Sequence, residues 1–138
     1  MNHFDKFNKW IIDVHNNGNS IHIESQSPFT MEVVLLERMP VGVEVSNLGN
    51  QSFLPMSVFY ATLSLLKEQG GKALKGNAFN NKLGEGDLPL NSVDGYVAST
   101  IYNREQGISV TSRITPISNI LIAAGVCESK RDGYLYLA

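Results

Sequence analysis

The chain has 138 residues, of which 43% are hydrophobic, and a formal net charge of −2. That is the length of one domain, or of one domain with a small extension, with enough apolar content for a real core. One cysteine, Cys127, allows neither an intramolecular disulfide nor a cysteine zinc site and fits a reducing interior. No apolar run approaches the roughly 20 residues of a membrane span, and the N-terminus lacks the basic start and apolar core of a signal peptide. The expectation is a cytoplasmic protein with no membrane contact. Charge is unevenly spread: residues 1–55 hold three basic and six acidic side chains, residues 56–138 eight basic and seven acidic. Neither part is polybasic, so binding to an anionic polymer would require the few cations to be grouped on one face.

Phe4, Phe7, Trp10, Ile11 and Val14 recur at helical spacing and read as the buried face of a first helix, closed at Asn16-Asn17-Gly18. Ile21 and Ile23 alternate with His22 and Glu24 as in a short strand, and Ser27-Pro28 breaks the pattern. Residues 31–39 are apolar with Glu32, Glu37 and Arg38 placed as on one side of a helix capped by Thr30 and stopped by Pro40; a strand over residues 33–36 is the other reading. Val41, Val43 and Val45 alternate as in a strand. Residues 1–50 thus read as a small αβ unit, and residues 51–57 as a seam.

Residues 56–138 read as a second unit. Phe59, Leu63 and Leu66 share one face of a helix over residues 58–69, capped by Ser57 and ended by Gly70-Gly71. Residues 72–75 make a short strand or lead into a next helix, expected at about 76–83. Residues 84–89 are a loop. Ser92 opens a further helix carrying Val93, Tyr96, Val97, Thr100 and Ile101, with Asp94 well placed near its start. Either Thr115 caps the last helix with Pro116 at its first position, or the helix starts at Ser112 and kinks at Pro116. Ile117, Ile120, Leu121 and Ala124 face inward, Gly125 closes the helix, and a short strand, a charged turn with Gly133 and an alternating Tyr134-Leu-Tyr-Leu137 strand follow. Helix, strand, wing, strand is the closing half of a winged helix-turn-helix. The fold class expected is α+β, with a C-terminal winged helix-turn-helix and a small N-terminal αβ unit.

Arg113-Ile114, Leu121, Ala124-Gly125-Val126, Glu128-Ser129, Arg131 and Gly133 fall at spacings that resemble the winged-helix domain of Mrr-type restriction endonucleases, with Gly125 and Gly133 eight apart. The clear match covers about 25 residues, and a looser helical match reaches back to Met56. Pro116 departs from the usual aromatic, and Asp132 stands where a second basic residue would hold phosphate. The resemblance implies a DNA-binding fold.

In a winged helix the last helix enters the major groove and the wing meets the backbone. Arg113, Thr115, Ser118 and Asn119 are expected near the exposed N-terminal end of that helix, Arg and Asn for base edges and Ser and Thr for phosphate. Lys130 and Arg131 lie on the wing, and Lys72, Lys75 and Lys82 form a second cationic patch around helix 2. Gly84-Glu-Gly86 lacks the Lys-Ser/Thr ending of a P-loop. Glu128-Ser-Lys130 is the sole Glu-x-Lys and has no flanking acidic strand position for a nuclease metal. The three histidines form no i, i+4 pair. The expectation is a non-enzymatic DNA-binding protein, a regulator or DNA-defence accessory, with no catalytic residue, metal or cofactor. Its partner would be double-stranded DNA, with a homodimer or a protein partner at residues 1–50 also open. The alternative is a protein–protein interaction module on the same scaffold.

Overall fold

Helix α1 (His3–Asn16) starts where the Asn2 side chain accepts the Asp5 N–H at 2.8 Å, and it buries Phe7, Ile11 and Val14 along one stripe. The computed structural model describes residues 2–138. Strands β1 (Ser20–Ile23), β2 (Phe29–Leu36), β3 (Met39–Val45) and β4 (Phe53–Pro55) follow and pair antiparallel in that order. A short 3-10 turn (Gly49–Gln51) joins the last two.

The helix that the sequence allows over residues 31–39 does not form. Phe29, Met31 and Val33 are buried while Thr30 and Glu32 are exposed, a period of two that suits a sheet with one covered face. β2 pairs on both sides, and its turn to β3 runs through Glu37 and Arg38 with φ of 50° and 68°. Left-handed values at both central residues make the primed hairpin turn that matches strand twist. Neither residue is the glycine or asparagine that usually announces it, which is why the pattern reads as helical in sequence.

The seam expected over residues 51–57 is instead the end of the 3-10 turn and strand β4, which runs straight into helix α2 (Met56–Glu68). Pro55, not Ser57, occupies the cap position. Strand β5 (Lys72–Leu74), helices α3 (Val93–Thr100) and α4 (Ile114–Ala123), and strands β6 (Cys127–Ser129) and β7 (Tyr134–Leu137) complete the chain. The last three strands form an antiparallel sheet ordered β5-β7-β6. The fold class is α+β.

No helix forms at 76–83. Asn77 turns its side-chain oxygen onto the N–H groups of Phe79 and Asn80, at 3.1 and 3.2 Å, and so competes with helical pairing. Gly76 and Gly84, with φ of +90° and +85°, bracket the stretch. The loop is nonetheless tightly built: Leu83 and Leu88 are fully buried and form a small core with Ala98.

One apolar cluster runs from Phe7 through Val43, Leu54, Phe59 and Leu66 to Leu121 and Leu135, so the first fifty residues and the rest share a single core. Phe7 and Phe59 meet at 5.0 Å between ring centroids. Phe4 and Trp10 flank that core partly buried. α1 also reaches the end of the chain: Lys6 Nζ donates to the Gly125 carbonyl at 3.0 Å, and a His3 ring nitrogen lies 2.9 Å from the Ala138 carbonyl. Among the described residues no helix is long and apolar enough to cross a membrane.

Candidate nucleic-acid interface

Helix α4 begins at Ile114, so Pro116 is its third residue and neither start read from the sequence is the one formed. The first four N–H groups of a helix have no internal partner, so the proline there removes no bond and forces no kink. No side chain caps the helix directly, but its approach is anchored from across space. Asp94, in the first turn of α3, accepts the Arg113 N–H at 3.0 Å on one carboxylate oxygen and the Ser112 hydroxyl at 3.1 Å on the other. Ser92 in turn caps α3, accepting the Gly95 N–H at 3.1 Å. Burial pushes the Asp94 carboxyl up from its ordinary 3.8 to about 6, against the opposing pull of those hydrogen bonds and of the Arg113 charge.

Arg113 is not at the surface. Only 4% of it is exposed; its guanidinium lies 3.7 Å from the centre of the Tyr102 ring and donates to Gln51 Oε1 at 3.0 Å. It ties α4 to the 3-10 turn before β4 and cannot read a base edge. Ser118 is corrected as well: it is buried, and its hydroxyl donates to the Thr115 carbonyl at 3.2 Å. Six of the ten residues of α4 are buried, and the outward stripe is Thr115, Asn119 and Ala123, flanked by Ile122. Of the four residues expected at this end of the helix, Thr115 and Asn119 are the two at the surface whose side chains have no hydrogen-bond partner among the described residues.

These two line a groove of about 460 Å³ together with the buried Ser118 and Ile114, with Lys75, Ser129 and Arg131, and with Ser25, Gln26 and Ser27 of the β1–β2 turn. Lys75 Nζ donates to Ser129 Oγ at 2.8 Å, bracing the β6–β7 turn against the end of β5. The turn itself carries Lys130, Arg131 and Gly133, with left-handed φ at Arg131 (57°) and Gly133 (84°). On the outer face of the sheet, Lys72 lies 4.7 Å from the Tyr134 ring centre and Lys130 4.3 Å from that of Tyr136. Among the described residues, the ion pairs within 4.0 Å are Lys9–Asp13 and His22–Glu24, so Lys72, Lys75, Lys130 and Arg131 have no carboxylate at salt-bridge distance. Asp132 tempers their field: the Tyr136 hydroxyl bonded to it holds its carboxyl below the usual carboxylate range and keeps it anionic.

The cationic patch expected around helix 2 takes a different form. Lys72 and Lys75 belong to β5 and its end, while Lys82 is exposed on the loop and lines no part of the groove. The β1–β2 turn is the part of the site that the sequence did not disclose; Ser27-Pro28 marks a break there, but nothing local says that the break lies against α4. Cys127 is buried in β6, and loss of solvation pushes its thiol up to about 12, which makes it an inert apolar residue. Among the described residues no three His, Cys, Asp or Glu side chains are grouped to hold a metal ion. No family model, curated protein or solved structure matches the chain significantly.

Proposed function

We propose that the chain is a non-enzymatic, winged-helix DNA-binding protein, acting as a regulator or a DNA-defence accessory. The succession α2, β5, α3, α4, β6 and β7 fits that fold, with α3 in the place expected for residues 76–83, α4 as the recognition helix and the β6–β7 turn as the wing. Gly125 and Gly133, the two glycines of the Mrr-like spacing, both have positive φ, which gives that resemblance a backbone reason. The observation that carries the reading is the groove beside α4, where Thr115, Asn119, Lys75 and Arg131 converge. The Asn119 amide suits an adenine edge and the Thr115 hydroxyl a phosphate or base oxygen. Lys72, Lys75, Lys130 and Arg131 hold backbone phosphates, and the Ser25 to Ser27 turn adds uncharged contacts on the opposite strand.

The test is fluorescence anisotropy with a random-sequence duplex across a salt series, wild type against Lys75→Ala/Arg131→Ala. Affinity falls steeply with salt in the wild type, and the double variant flattens the log–log slope by about 2. No binding at low salt rejects the reading and turns attention to a protein partner on the same scaffold.

A further inference from the structure

Phe79 is 86% exposed, the most exposed large apolar side chain among the described residues. An exposed ring on a mobile loop could fold back onto the protein, but this one stands on a fixed base. The Asn77 side chain accepts the N–H groups of Phe79 and Asn80. Asn81 Nδ2 donates to the Asn77 carbonyl at 3.0 Å, and the Asn77 N–H donates to the Asp87 carbonyl at 2.9 Å. The ring borders a pocket of about 480 Å³ whose lining includes Leu74 and Ile114 and also Asn80 and Asp87. Among the described residues no hydrogen bond engages the Asn80 amide group or the Asp87 carboxylate. Lys75 and Ile114 line both this pocket and the groove beside α4, so the two concavities are neighbours with a cation between them.

We propose that this pocket receives one unstacked nucleobase from the DNA held in the adjacent groove, with the base lying against Phe79. The inference rests on the DNA-binding reading above. Four features fit that occupant. A planar apolar wall stacks on any base face. Lys75, which lines both groove and pocket, offers a cation to the nucleotide's phosphate. Asp87 accepts from an exocyclic amino group while the Asn80 amide meets a ring nitrogen or carbonyl, which favours adenine, cytosine or guanine over thymine. The volume lies within the range of small-molecule sites.

The experiment uses the full chain and two short duplexes, one fully paired and one with a single bulged fluorescent adenine analogue, against wild type, Phe79→Ala and Phe79→Trp. Wild type prefers the bulged duplex by roughly tenfold, the size expected of one base–aromatic stack, and quenches the analogue. In Phe79→Ala the ratio of the two affinities collapses to about one and the quench disappears, while Phe79→Trp retains both. A bulged thymine shows the smaller preference. Salt-sensitive binding of the paired duplex without any preference for the bulge overturns the pocket and leaves the DNA-binding reading standing. Equal loss on both duplexes in Phe79→Ala also overturns it, making Phe79 an ordinary duplex contact. Failure of the wild type to bind either duplex rejects both ideas and points to a protein contact at Phe79.

Discussion

The two sheets bury one face each but turn different chemistry to water. In the four-stranded sheet Met31, Val33, Val43, Val45 and Leu54 point into the core, while Glu32, Glu44 and Phe53 stand in register on the other face. In the three-stranded sheet Ala73 and Leu135 point inward, and the outer face carries Lys72, Tyr136 and Glu128 in register with Tyr134 beside them. The first face sets two carboxylates side by side, whereas the second mixes Glu128 with Lys72 and Lys130 laid over tyrosine rings, where the cations also cover apolar surface. Both faces obey the same alternation; what separates them is which residues fill the solvent positions.

The sharpest way to break this contrast is to ask whether the sheets are energetically separate. Phe7 lies at 0% exposure in the shared core, so Phe7→Ala costs about 4 kcal/mol and shifts a single unfolding transition seen equally by probes in either sheet. Two resolved transitions in urea would show that each sheet keeps its own core.

Next in size is a pH effect that belongs to the C-terminal part alone. The folded Asp94 carboxyl titrates at about 6 and the unfolded one near 3.8. The folded state therefore holds a proton that the unfolded state has released. This contribution is fully present below the unfolded value and is lost as pH rises through the folded one, amounting to roughly 3 kcal/mol. Unfolding free energy should fall between about pH 4 and 6 in the wild type relative to Asp94→Asn; parallel profiles for the two proteins would reject the buried-proton account.

The smallest effect lies at the tip of the N-terminal sheet. Glu37 and Arg38 hold left-handed conformations that cost residues with a Cβ. Glu37→Asn/Arg38→Gly should stabilise by about 1 kcal/mol, read as a higher urea midpoint at unchanged slope. A loss of stability would mean that the native pair makes a contact worth more than its strain.

Local signals account for what the sequence discloses. The buried stripe of α1, the Ser92 cap of α3, and the succession of helix, Gly125, strand and turn at the end all arise from spacing and capping within a few residues. The places where sequence reasoning fails depend on partners far along the chain. Arg113 looks like a surface cation until Asp94, Tyr102 and Gln51 close around it. Ser25 to Ser27 look like a bare turn until α4 lies beside them. The 76–83 stretch is expected to be helical from its place in the winged unit, yet its asparagines bond to their own backbone.

The contact between His3 and the Ala138 carbonyl, with Lys6 on the Gly125 carbonyl, brings residues 3 and 138 within a side chain's reach of each other. A short flexible linker could therefore join them, and new ends could be opened between Glu37 and Arg38, where the backbone turns in solvent. Such a circular permutant would keep both sheets and the groove beside α4 and would put its new ends at the far end of β2 from the Ser25 to Ser27 turn, a route to carrying a reporter or a tether away from the face proposed to meet DNA.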